Sequence, residues 1–215
     1  MVRPAAVLAG FALLATTVLV FTYGRTREPI ARAERAELAR SLRTLIPVDA
    51  YDRDPVDDTV VLAPDGLLGS DERVTAFRAR IGGETRIVAF NAVAPDGYNG
   101  AIRLLVAVRR DGHLAGVRVV NHHETPGLGD GIEAERSPWI HGFDGKSLGQ
   151  PPVDQWKVKK DGGAFDQLTG ATITPRAVVR AVRRALQYFA SHRDQLIYDG
   201  NTNRIESGNR DNSHT

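Results

Sequence analysis

The chain has 215 residues, 42% hydrophobic and 25% charged, the mix of a folded protein with room for one sizeable domain and an appendage. Its 28 basic and 26 acidic residues leave a formal charge of +2, too small an excess for a nucleic-acid binder. Cysteine is absent and Met1 is the only methionine. That excludes disulfides, zinc–thiolate and iron–sulfur sites, thioether-linked haem, cysteine nucleophiles and methionine-ligated metals.

The first element is an uncharged run from Ala5 to Tyr23. A helix of that length spans roughly 28 Å, close to the ~30 Å hydrocarbon core of a bilayer. A cleaved signal peptide is the rival reading. The run exceeds the usual apolar region of such a peptide, and no small-x-small site precedes Arg25, so an uncleaved anchor over residues 1–25 is expected. Orientation stays open on charge. Arg25, Arg27, Arg32, Arg35, Arg40 and Arg43 follow the run, but long domains cross membranes largely regardless of charge.

Residues 26–46 read as a helical stalk. Pro29 suits a first turn, Ile30, Ala33, Leu38, Leu42, Leu45 and Ile46 form an apolar stripe, and Pro47 closes it. From Val74 the period changes to two. VTAFRARI, the turn Gly82-Gly83 and TRIVAFNAV predict a hairpin. Ile102 to Arg109, the turn Asp111-Gly112 and LAGVRVV from Leu114 predict another. An antiparallel sheet of about four strands is expected. A long irregular stretch from Asn121 to Asp166 follows, of the kind that carries function. Then comes a helix with Thr174 as N-cap and Pro175 at its first position. Val178, Val182, Ala185, Leu186 and Phe189 share one face. Residues 199–215 read as a disordered polar tail. The fold class is α+β.

Two segments carry candidate chemistry. In His122-His123-Glu124-Thr125-Pro126-Gly127-Leu128-Gly129 the adjacent histidines point opposite ways on an extended chain, and a third ligand is lacking, so no metal site is assigned. The Pro-Gly-Leu-Gly run allows close approach of backbone to a ligand, or forms an ordinary turn. Asp166-Gln167-Leu168-Thr169-Gly170-Ala171-Thr172-Ile173-Thr174-Pro175 is a glycine turn feeding a helix start. Its amides, those of Arg176 and Ala177, either bind an anion or simply follow a capped end.

Asp166-x-x-Thr169-Gly170-Ala171-Thr172 resembles the flavinylation motif of the FMN-binding domain family, in which a flavin transferase joins FMN to the last threonine through its phosphate. Gly97-Tyr98-Asn99-Gly100-Ala101-Ile102, His122-x-Glu124-Thr125-Pro126-Gly127-Leu128-Gly129 and Trp156 to Asp166 agree with that family. Together with the anchor they are similar to the G subunits of Rnf-type (Rsx) electron transport complexes. The resemblance spans roughly residues 30–195 and the anchor.

It implies an FMN-binding domain over residues 47–198 with an antiparallel sheet and flanking helices. It implies covalent FMN at Thr172, a motif of Asp166, Thr169, Gly170 and Ala171, and cofactor contacts from Glu124, Thr125, Pro126, Gly127, Leu128 and Gly129. It places the chain in the inner membrane as a single-pass protein with its domain in the periplasm. The partners it implies are the bilayer, a maturing flavin transferase and the other subunits of a complex coupling NADH and ferredoxin electron transfer to ion translocation. In that complex this chain would be an electron carrier rather than the substrate-converting subunit. A tethered anion- or lipid-binding module without redox activity is the alternative.

Overall fold

The computed structural model describes residues 2–198; within its first helix the side chains of residues 2–7, 9, 27–35 and 37 lie outside the description, as does the predicted tail at 199–215. The chain divides after Arg40 into two compact units.

The first unit belongs to a helix, α1, that runs from Val2 to Leu45. It continues through Pro29, where the sequence places the start of a second helix. One proline removes a single backbone bond, and the Ala-, Glu- and Arg-rich sequence around it favours helix. Leu8, Phe11, Leu13, Leu14, Leu19, Phe21 and Tyr23 are all exposed. Among the described residues no helix is long and apolar enough to cross a membrane; the side chains of Ala5, Ala6, Val7 and Ala9, part of the predicted anchor, are not among them.

The second unit holds a five-stranded antiparallel meander in the order β1 to β5. The strands are β1 Thr59–Leu62, β2 Val74–Ile81, β3 Glu84–Gly97, β4 Gly100–Arg109 and β5 Leu114–Asn121. The expected four strands are β2 to β5. The fifth, β1, pairs Thr59 with Phe77 and Leu62 with Val74 at the edge of the sheet. Gly82 and Gly83 both adopt positive φ, 57° and 82°, as a two-residue hairpin requires. Asp111-Gly112 is part of a longer connection than predicted: β4 ends at Arg109 and β5 begins at Leu114, with Asp111 accepting from the His113 amide at 3.0 Å.

Alternation along the strands gives the sheet two apolar faces. Val88, Phe90, Leu104 and Val106 belong to the main core with α2, Ile173–Ser191, whose Val178, Val182, Ala185, Leu186 and Phe189 are buried as the spacing predicts. Ile87, Ala89, Leu105 and Ala107 are also buried but outside that core. On their side lie the last turn of α1, with Leu42 and Leu45 buried, and the buried Ile46 that follows it; a Cβ on Gly116 would stand 2.8 Å from Leu45 Cδ2. Each large apolar side chain buried this way contributes about 1.5–3 kcal/mol.

Asn121, where the sequence places the start of the irregular stretch, is the last residue of β5 and pairs with Arg103; from His122 to Asp166 the described chain adds no strand to the sheet. This stretch is built from short 3₁₀ turns, Gly129–Ile132, Pro138–Phe143, Val153–Gln155 and Lys159–Asp161. An aromatic cluster holds it together. Phe143 stacks on Phe165 at 4.8 Å between centroids, Trp156 lies 4.9 Å from Phe165, and Trp139 meets Phe143 edge-on at 5.4 Å. A last short helix, α3, covers Arg193–Ile197.

Candidate functional site

Three segments that are distant in the chain meet beside the start of α2. They are the β3–β4 hairpin tip, the loop after β5 and the turn before the helix. Together they line a cavity of about 370 Å³, formed by Tyr98, by Glu124, Thr125, Leu128 and Gly129, and by Gly170 to Thr174. That size lies within the range of small-ligand pockets. The rim is apolar and uncovered: Tyr98 is 64% exposed, Leu128 45% and Ile173 44%.

Two glycine turns shape the walls. In the first, the Leu128 amide donates to Thr125 O at 3.1 Å across Pro126 and Gly127, and Gly127 has φ of 77°. In the second, the Ala171 amide donates to Leu168 O at 3.3 Å across Thr169 and Gly170, and Gly170 has φ of 80°. Both put glycine at the third turn position, where positive φ is required. The two turns touch. A Cβ on Gly170 would lie 2.7 Å from Leu128 Cδ2, so any side chain there would displace Leu128.

The helix start differs from the sequence reading. The N-cap of α2 is Thr172, and no side-chain capping bond is made. Thr174 is not the cap. It lies in the first turn, 1% exposed, and its hydroxyl donates to Glu124 Oε2. Because the helix starts at Ile173, its free first-turn amides are those of Ile173 and Thr174, not of Arg176 and Ala177, and both residues line the cavity. The start shifts because Pro175 tolerates any first-turn position, while burial of Thr174 against Glu124 decides the register.

Of the threonines in this segment, Thr169 is exposed and outside the cavity lining, Thr174 is committed to Glu124, and Thr172 faces the cavity without a capping bond. The other predicted contacts divide. Glu124, Thr125, Leu128, Gly129, Gly170 and Ala171 line the cavity, whereas Pro126, Gly127, Asp166 and Thr169 do not. Asp166 borders a second cavity with Trp139 and Lys146. Its carboxylate pairs with Lys159 at 2.5 Å, and its carbonyl accepts from Trp139 Nε1 at 2.7 Å.

His122 uses both ring nitrogens within the fold. Nδ1 accepts from the Glu124 amide at 3.0 Å and Nε2 lies 2.6 Å from Glu133 Oε1. Arg176 is bidentate to Asp161, at 2.6 and 2.5 Å, and these hydrogen bonds hold the Asp161 carboxyl below the usual carboxylate range. Its guanidinium is therefore engaged beside the helix. Tyr98, Ile173 and Thr174 are the lining residues that sequence reasoning did not select. The Gly97-Tyr98-Asn99-Gly100 run was the available signal for the first, but only the folded hairpin brings it to the cavity.

The arrangement fits a flavin nucleotide: an apolar rim for a flat ring system, a helix start for a phosphate, and glycine turns that keep the space between them open.

Residues 97–187 match the FMN-binding domain family, and residues 1–45 match the RnfG N-terminal region. The chain is 51% identical over 197 residues to the G subunit of the ion-translocating oxidoreductase complex of Pseudomonas aeruginosa strain UCBPP-PA14, with 92% of each chain covered. The chain belongs to the family of G subunits of ion-translocating oxidoreductase complexes. Other G subunits are similar over nearly the same span. That of Shewanella loihica is 44% identical over 196 residues, covering 91% of this chain and 92% of the relative. One from Vibrio cholerae (El Tor Inaba N16961) is 44% identical over 190 residues, covering 88% and 90%. In this G-subunit chain the FMN-binding match spans all three segments that line the cavity.

Proposed function

We propose that the chain is the membrane-anchored flavoprotein subunit of an Rnf-type complex, carrying FMN in a phosphoester to Thr172 and relaying electrons to or from its neighbouring subunits. The single observation that carries the attachment site is the Thr172 hydroxyl. Thr172 lines the cavity, its hydroxyl makes no capping bond, and it stands at the start of a 19-residue helix. Covalently bound FMN supplies reversible electron transfer without loss of cofactor by dilution.

The chain's own residues do the rest. The free amides of Ile173 and Thr174 and the helix dipole stabilise the negative charge that a phosphodiester keeps, by about 0.3–1 kcal/mol at an exposed end. Leu128 and Tyr98 offer apolar surface to the ring. Gly170 keeps Leu128 in place and leaves room for the transferase, with Asp166, Thr169 and Ala171 as the segment that this enzyme reads. Thr125, Pro126, Gly127 and Gly129 hold the loop on which Leu128 sits.

Ala5 to Tyr23 is proposed to anchor the chain in the inner membrane, with the domain in the periplasm. Its lack of charge and the exposure of its described apolar side chains support this. No observation favours an anion- or lipid-binding module without a flavin. Alkaline phosphatase fused after Tyr198 should be active, and a cytoplasmic reporter at the same point inactive; the reverse pattern contradicts the topology.

The test of the flavin reading is expression of the full chain with and without a flavin transferase. In-gel fluorescence that survives denaturation should appear only with the transferase. A second expectation concerns the ring. Leu128→Asp should keep the label but lower the flavin's reduction potential by about 20 mV or more for a two-electron couple, the equivalent of ~1 kcal/mol from one nearby negative charge. Spectroelectrochemistry of the purified chain measures it. An unchanged potential and spectrum would remove Leu128 from the ring's surroundings.

A further inference from the structure

Glu124 lines the cavity, yet both of its carboxylate oxygens are turned into the fold. The side chain is buried, at 5% exposed. Oε1 accepts from the Asn99 amide at 3.1 Å, and Oε2 accepts from the Thr174 hydroxyl. The slot it fills is shaped by two glycines. A Cβ on Gly97 would stand 2.9 Å from Oε1, and a Cβ on Gly129 would stand 2.9 Å from both Glu124 Cβ and Oε2. One side chain thus ties together the hairpin tip that carries Tyr98, the loop that carries Leu128 and the first turn of α2, which Thr172 immediately precedes. A second bond reinforces the first tie: Asn99 Nδ2 donates to Thr125 Oγ1 at 3.1 Å.

We propose that Glu124 is a positioning residue: by accepting simultaneously from Thr174 and Asn99 it fixes Thr172 relative to the Tyr98 and Leu128 walls, and so sets the geometry in which the flavin is attached and held. This rests on Thr172 being the attachment site. Glu124, the one acidic side chain among the described lining residues, acts through the backbone segments it joins, and not as a charged ligand of the cofactor.

The two roles require different things of position 124. A positioning role needs reach and two hydrogen bonds. Glutamine keeps both, because its oxygen accepts from the Asn99 amide while its NH₂ donates to the Thr174 oxygen, whose hydroxyl can rotate. Aspartate keeps the charge but is one methylene too short to span both partners. A charged-ligand role reverses that order.

The test compares Glu124→Gln, Glu124→Asp, Thr174→Val and Thr174→Ser in the full chain. Three readouts are taken: the rate of covalent labelling by the flavin transferase, the fluorescence anisotropy of the attached flavin in the folded protein, and the thermal midpoint. Glu124→Gln and Thr174→Ser should label at close to the native rate with native anisotropy. Glu124→Asp and Thr174→Val should label about tenfold more slowly, the factor expected when a buried acceptor loses a partner, with lower anisotropy. Where Thr174→Val fails to fold, the order of the two Glu124 variants decides. Aspartate ahead of glutamine, or a folded Thr174→Val with native labelling and anisotropy, overturns the proposal. A native chain that takes no label overturns the attachment reading and this proposal with it.

Discussion

Thr172→Ala abolishes covalent flavin while leaving the domain folded. The oxygen it removes is the atom to which the phosphate is joined, so no residual label remains. Thr172 makes no capping hydrogen bond. Its replacement therefore costs less than the ~0.5–2 kcal/mol that loss of a working cap costs. Thr169→Ala, outside the cavity lining but within the segment the transferase reads, should take label more slowly, and whatever label it takes should still sit on Thr172. Denaturing gels viewed for flavin fluorescence, with circular dichroism to confirm folding, separate these outcomes. Label in a folded Thr172→Ala would falsify the assignment.

Trp156→Ala should destabilise the domain by about 3–5 kcal/mol, as large-to-small changes at buried aromatic positions do. Trp156 is 1% exposed and packs on Phe165 and Phe143, and its indole N–H donates to Pro151 O at 3.2 Å. The loss reaches the site. Phe165 precedes Asp166, whose carbonyl is held by Trp139, another member of the same cluster. The segment entering α2 thereby loses its anchor, and labelling by the transferase should fall along with stability. Trp156→Phe, which keeps an aromatic ring in the cluster, should recover most of both. Urea denaturation of the purified chain gives the stability change. A midpoint within error of native for Trp156→Ala would show that the cluster does not hold this stretch.

Local pattern made much of the domain legible. β2 to β5 follow from alternation, the first hairpin from Gly82-Gly83, and the buried face of α2 from its spacing. β1 was missed because four residues, Thr59 to Leu62, are too short to show a period; they become a strand only by pairing with β2. Helix α1 runs through Pro29 because a proline signal is local while helix continuity is cooperative. The motif residues Thr172 and Gly170 were legible in one segment, and the cavity's other walls were partly legible in the His122–Gly129 loop. Thr174 was misread as a cap. Its actual partner, Glu124, lies 50 residues away, and only the sheet brings the two together.

The central claim is one FMN joined to one threonine, and mass spectrometry of the full chain produced with a flavin transferase tests it most directly. The intact chain should gain the mass of one FMN less one water, and peptide mapping should place the added mass on Thr172. An unmodified mass under conditions that label another FMN-binding domain, or the same added mass on a peptide without Thr172, would contradict the account.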